Sequence, residues 1–170
     1  CSLVIGYCSP AGNKPLAFTG RLREAAPRRL AETGRFVRVV CQRGGMNRQG
    51  EGFAVTVRVR LMHAQVRRIL RASPRWRADD WGEPINQLDM AGTTLLFSGL
   101  VIDGLRKLGA PLSDSEAEDL LHLWRYVGYV MGVEEELLNT SAAEAETQLR
   151  LIGLTQEPPD DDSRALAAAL

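Results

Sequence analysis

The chain has 170 residues, 45% of them hydrophobic and 25% charged, with 21 Lys+Arg balanced by 21 Asp+Glu. That apolar content excludes an intrinsically disordered chain, and 16 glycines and 8 prolines without period exclude a collagen-like or low-complexity one. The zero net charge conceals a division: residues 1–77 carry 16 basic and 3 acidic side chains, residues 78–170 carry 5 and 18.

The basic half admits a nucleic-acid partner, but a single domain over 1–170 in which the two halves fold against each other is the expected arrangement. No run of about 18 uninterrupted apolar residues occurs, so no transmembrane segment is expected. Cys1, Cys8 and Cys41 have neither zinc spacing nor a CxxCH haem-attachment motif, and read as free thiols of a reducing compartment. The first residue is Cys1, with no charged leader or cleavable apolar segment ahead of it. That points to a fragment or processed chain, and to a cytoplasmic location.

In chain order, residues 1–20 are punctuated by Gly6, Pro10, Gly12, Pro15 and Gly20 and read as an irregular lead-in. A helix follows from about Arg21 to Gln42, with Leu30, Thr33, Val37 and Val40 on one face and Pro27 as a candidate break. The glycine-rich stretch Arg43–Gly52 is a connector. The next helix is expected from Gly52 to Ala72, where Val55, Val59, Met62, Val66 and Ile69 make an amphipathic stripe. Its β-branched start also suits a strand.

Ser73–Pro84 is a linker with two tryptophans. Residues 86–108 then read as one helix, apolar nearly all round through Leu95, Leu96, Phe97, Leu100, Val101 and Ile102, and stopped by Gly109. Gly92, Gly99 and Gly104 on it permit close approach of a neighbour or a flat ligand. Ser113 with Glu116, and Ser141 with Glu144, have the capping-box spacing that opens two further helices. Residues 157–170 form an acidic linker and a short alanine-rich tail. With no convincing strand pair, the fold class is all-α, with five to six helices.

Of the two histidines, His63 lies on a helix face with Arg60 at i−3, Arg67 at i+4 and Val59 and Val66 beside it. Two nearby guanidiniums push an imidazole toward neutrality, the form that ligates metal. The arrangement suits a haem, with imidazole to iron, valines against the macrocycle and arginines for the propionates. A boundary histidine on a basic helix face fits the same spacing. His122 has Asp119 at i−3, half of a di-iron motif whose other half is missing, and reads as a helix histidine bonded to a neighbour. Neither a phosphate loop nor a nucleophile elbow is present.

One ordered set of short motifs runs from about Gly6 to Ile152. It comprises Gly6-Tyr7, Thr19-Gly20-Arg21-Leu22, Arg29-Leu-Ala-Glu-Thr33, Val59-Arg60-Leu-Met-His63-Ala-Gln-Val-Arg67, Gly82-Glu-Pro84-Ile-Asn86-Gln87, Phe97-Ser98 and Leu123-Trp124-Arg125-Tyr126-Val127-Gly128. In this set the chain resembles the rubber oxygenase catalytic-domain family, which includes latex-clearing proteins and ER-bound oxygenases of the mycophenolic acid pathway type. The resemblance implies a globin-like helical domain holding a non-covalent haem b. It implies His63 as the iron ligand, Arg29 and Thr33 as pocket residues and Arg67 as a cofactor-binding residue, to which the helix spacing adds Arg60. Dioxygen and an apolar small molecule or polymer, such as an isoprenoid with a double bond, are the implied reactants.

The chain departs from latex-clearing proteins just before Thr33, where their lysine is replaced by Glu32. A glutamate cannot be the same distal ligand, and its role here would be a base. Two other readings stand beside the oxygenase: a non-catalytic helical domain that binds a hydrophobic ligand or partner, and a nucleic-acid-binding module. The charge distribution around His63 favours a cofactor pocket, and no nucleic-acid partner is expected.

Overall fold

Gly6, residues 9–18 and residues 22–168 are described by a computed structural model, with the side chains of 22–26 left aside. Tyr7, the Thr19–Arg21 turn, Cys1 and Cys8 lie outside the described residues. Every regular element among those described is helical, with no strand. The first half holds α1 (Pro10–Ala17), α2 (Leu22–Cys41), α3 (Glu51–Ala72) and the single turn α4 (Ala78–Trp81). The second holds α5 (Gln87–Phe97), α6 (Gly99–Lys107), α7 (Asp114–Met131), a 3-10 turn at Glu135–Leu137, α8 (Ala142–Thr155) and α9 (Asp161–Ala168). Two units emerge: Tyr7–Asn86 with Glu157–Leu170, and Cys1–Gly6 with Gln87–Gln156.

In the first unit, the expected irregular lead-in is instead α1. Ser9 accepts from the Gly12 N–H and Pro10 stands in the first helical turn, where its missing N–H costs nothing. The acidic tail is not a tail either. Asp160 accepts from the Ser163 N–H and so caps α9, while Lys14 of α1 bridges Asp160 and Asp162, each at 2.6 Å. Buried Asn13 donates to buried Ser163, and Leu166 is sealed inside. The candidate break at Pro27 does not occur, since α2 runs through it. A proline removes one backbone donor, and the remaining bonds of a 20-residue helix carry across that gap.

The connector between α2 and α3 is a tight reversal built on glycine. A side chain at Gly45 would stand 2.0 Å from the Val39 carbonyl oxygen, and one at Gly52 would stand 3.0 Å from the Val40 Cα. The two helices therefore pack as a hairpin, pinned at its base by Arg35 on Glu51 at 2.9 Å. On α3 the inward face is rotated from the expected stripe. Met62 and Ile69 are 49% and 62% exposed, whereas Gly52, Thr56 and Leu70 are buried. Thr56 sits where a hydrophobic count cannot see it, its hydroxyl bonded to the Gly52 carbonyl oxygen at 2.7 Å.

The second unit is centred on Leu95, Ile102, Ala117, Leu121 and Ala145. The long apolar helix expected over 86–108 is two, divided at Ser98, whose hydroxyl bonds the Thr94 carbonyl oxygen. Gly99 lets Leu149 of α8 approach within 2.9 Å of where a Cβ would lie. Among the three glycines on this stretch, the close neighbour is a helix at Gly99, and Gly104 faces open space. One stretch bears on the expected absence of a transmembrane segment, although it is divided at Ser98. Gln87–Lys107, 21 residues with mean hydropathy 1.3, is long and apolar enough by length and composition alone. Leu95 and Ile102 on it are core residues, and Phe97 stacks on Trp124 with centroids 4.9 Å apart. The box at Ser113 caps α7 as expected, whereas at Ser141 only the serine half forms and the Glu144 carboxylate accepts from the Thr140 N–H and hydroxyl; Gly132 ends α7 in the left-handed conformation.

Candidate functional site around His63

The site starts from helix periodicity. Along α3, positions 52, 56, 59, 63, 66 and 70 share one side, and His63 falls in its middle. The imidazole is largely withdrawn from solvent, and its Nδ1 has no hydrogen-bond partner among the described residues. Burial first, then the Arg67 guanidinium, holds the ring below its ordinary value. At pH 7 it is therefore a neutral imidazole with a buried nitrogen unspent, which is costly unless something engages it.

The other candidate residues divide into those turned inward and those turned out. On α2, Arg29 and Thr33 are half-buried, on the side that also carries Phe36 and Val40. From the Val40–Gly52 approach, Arg29 lies 11 residues back along α2 and His63 lies 11 residues forward along α3. In an antiparallel hairpin that register sets both at one height, about 16 Å from the turn. Glu32 is not gathered with them. Its carboxylate is 59% exposed and closes onto Arg28 at 2.8 Å, one turn back on the outer surface. Arg60 is exposed on the flank of the inward face.

Arg67 is half-buried, and two of its three nitrogens are engaged by one turn of backbone. Nε donates to the Pro84 carbonyl oxygen at 3.2 Å and Nη2 to the Ile85 carbonyl oxygen at 2.5 Å. One turn on, Arg71 pairs with Glu83 at 2.5 Å, and Trp76 Nε1 donates to the Gly82 carbonyl oxygen at 3.0 Å. Sequence reading missed this grip on residues 82–85. Arg67 was visible as the i+4 neighbour of His63, but not the carbonyls that a returning chain presents to it. Trp76 also meets Phe18 and Trp81, with Arg75 over Phe18 and Arg77 over Trp81.

His122 behaves as expected, at 2.6 Å from Arg125 through Nδ1 on an exposed face. Among the described residues no group of three or more His, Cys, Asp or Glu could hold a metal. The expected pairing of basic with acidic half is realised at Lys14, Arg71 and Arg77, whereas Arg35 pairs within the basic half.

What the His63 face offers, then, is one neutral nitrogen ligand beside cations. The family described as "ER-bound oxygenase mpaB/B'/Rubber oxygenase, catalytic domain" matches residues 5–170. The chain belongs to this family. Rubber oxygenase of Streptomyces sp. (strain K30) is 26% identical over 139 residues, 79% of this chain and 34% of the relative. The chain thus spans about a third of the length of that curated oxygenase. No solved structure matches. The chain is thus a member of an oxygenase catalytic-domain family, and it is all-helical among its described residues.

Proposed function

We propose that this chain is the cofactor-holding part of an oxygenase that uses haem b. In this reading His63 is the axial ligand, and dioxygen with an apolar molecule or polymer of isoprenoid type are the reactants. The observation that carries the reading is the buried Nδ1 of His63 without a partner among the described residues. A macrocycle brings its own ligands to iron, so one imidazole suffices where no cluster of protein ligands is gathered. Bound there, haem would supply the redox chemistry that activates dioxygen toward a carbon–carbon double bond.

The chain's own residues supply the frame. Val59 and Val66 flank His63 and exclude water from one side of the ring. Burial, and after it the Arg67 charge, keep the imidazole unprotonated, the form that can donate a lone pair. Arg29 and Thr33 present an inward cation and hydroxyl from α2, and Arg60 adds positive charge on the exposed flank for an anionic edge.

The test is an absorption spectrum of the protein as isolated and after hemin is added. A Soret band shift on uptake is expected, and His63→Ala should abolish it while far-ultraviolet circular dichroism stays helical. A wild-type chain that takes up no hemin would sink the reading.

A second reading, a non-catalytic domain that binds a hydrophobic ligand or partner, draws on Glu32. It replaces the lysine of latex-clearing relatives and is held on the outer face by Arg28. Hemin uptake without oxygen consumption on any lipid substrate favours that reading.

A further inference from the structure

Four consecutive residues between α4 and α5 are held from one side. Trp76, Arg71 and Arg67 take, in that order, the Gly82 carbonyl oxygen, the Glu83 carboxylate, and the Pro84 and Ile85 carbonyl oxygens. The turn they hold is unfavourable by itself. Gly82 has φ 65 and Ile85 has φ 52, and a β-branched residue in the left-handed region is a true outlier. Such a conformation persists only where its surroundings over-determine it. Here Pro84 is fully buried and two carbonyls of the turn are fixed by a single guanidinium.

We infer that Arg67 is a positioning residue of the His63 site. Its planar fork locks the Gly82–Asn86 turn against the helix one turn beyond His63, and it does not serve as the charge partner of a cofactor anion. The inference rests on the haem reading for what is positioned, but the clamp itself is read from the protein alone. His63, Arg67 and Arg71 stand at i, i+4 and i+8, so the row that presents the imidazole is the row that grips the turn. The grip also accounts for Gly82-Glu-Pro84-Ile-Asn86, a motif otherwise without a task. Glycine supplies the first positive φ, Glu83 meets Arg71, and Pro84 fills the buried corner.

A lysine at position 67 separates fork from charge, because it keeps the cation and loses the planar pair of donors. Hydrogen exchange of the full chain, read by mass spectrometry, reports on the clamp without any cofactor. In both Arg67→Lys and Arg67→Ala, amides of residues 83–87 should exchange about tenfold faster or more, while those of α7 are unchanged. Hemin titration at two ionic strengths then reports on the site. Both variants should lose a similar factor, about tenfold, with the salt dependence of wild type.

Two results overturn the inference. One is an Arg67→Lys protein that keeps wild-type hemin affinity while Arg67→Ala loses it together with its salt dependence. The other is exchange at 83–87 that neither variant accelerates. Wild-type protein that binds no hemin would remove the haem reading, and unaltered exchange in the variants would separately remove the clamp.

Discussion

Of the glycines that let α2 and α3 meet, Gly45 is the tightest. At Gly45 an added Cβ would fall 2.0 Å from a backbone oxygen, which no side-chain rotation can relieve. Gly45→Ala should therefore cost about 3 kcal/mol, read as a lower urea midpoint at unchanged slope. Gly34 is the control. It lies in α2 with nothing within 4 Å of a Cβ, so Gly34→Ala should stabilise by about 0.5–1 kcal/mol. Equal destabilisation by both would show that the close approach at Gly45 is not what matters. His63 and its flanking arginines were legible at this scale, because a helix converts spacing of three and four into adjacency. The fork of Arg67 was not, since its acceptors lie 17 and 18 residues away across an irregular turn. The outward turn of Glu32 was hidden for a related reason. Its neighbour Thr33 turns inward, and one residue along a helix is a rotation of about 100°.

Among the elements, α7 and α8 followed from their serine caps, and α3 from its periodicity. α1 did not, because Pro10, Gly12 and Pro15 read as punctuation. What overrides them is tertiary: Asn13 and Lys14 are tied to α9, 146 to 150 residues away. The break at Ser98 left no mark either, since a stretch apolar on every side has no period to interrupt. The α1–α9 contact carries a pH dependence with a definite sign. Burial opposes ionisation of Asp160, but hydrogen bonds from Lys14 and from the Ser163 N–H win and hold its carboxyl below the usual range. Burial likewise works against the Lys14 ammonium, and its bonds to Asp160 and Asp162 raise it all the same. Asp160 therefore contributes stability above its unfolded value near 4, lost as pH falls through its lower folded value. Lys14 contributes below its unfolded value and loses that as pH rises through the folded one. Exchange protection of α9 should be level between about pH 4 and pH 10 and fall outside that window. Lys14→Met should lower protection inside the window and flatten its edges, and a variant with the wild-type profile would show that the ion pairs are idle.

For the whole molecule, the unit that carries His63 is assembled from two separated lengths of chain, Tyr7–Asn86 and Glu157–Leu170. Removing residues 157–170 should expose the faces that Leu166 and Ser163 cover. Amides of α1 and α2 should then exchange faster while those of α5 and α7 keep their protection. Uniform loss across the chain would mean that the two units do not respond separately. The charge division of the sequence is partly spent inside this unit, where acidic residues 160 and 162 return to the basic first half at Lys14. The same discontinuity sets a chronology on the ribosome. The core of α5 to α8 comes from one uninterrupted length and has its partners as soon as it emerges. The His63 hairpin is made earlier but must wait for α9, about 5–19 s later at ordinary elongation rates of about 5–20 residues per second. Until then Leu166 has not arrived to seal it, and the nascent hairpin stays open to a chaperone or to a cofactor arriving early.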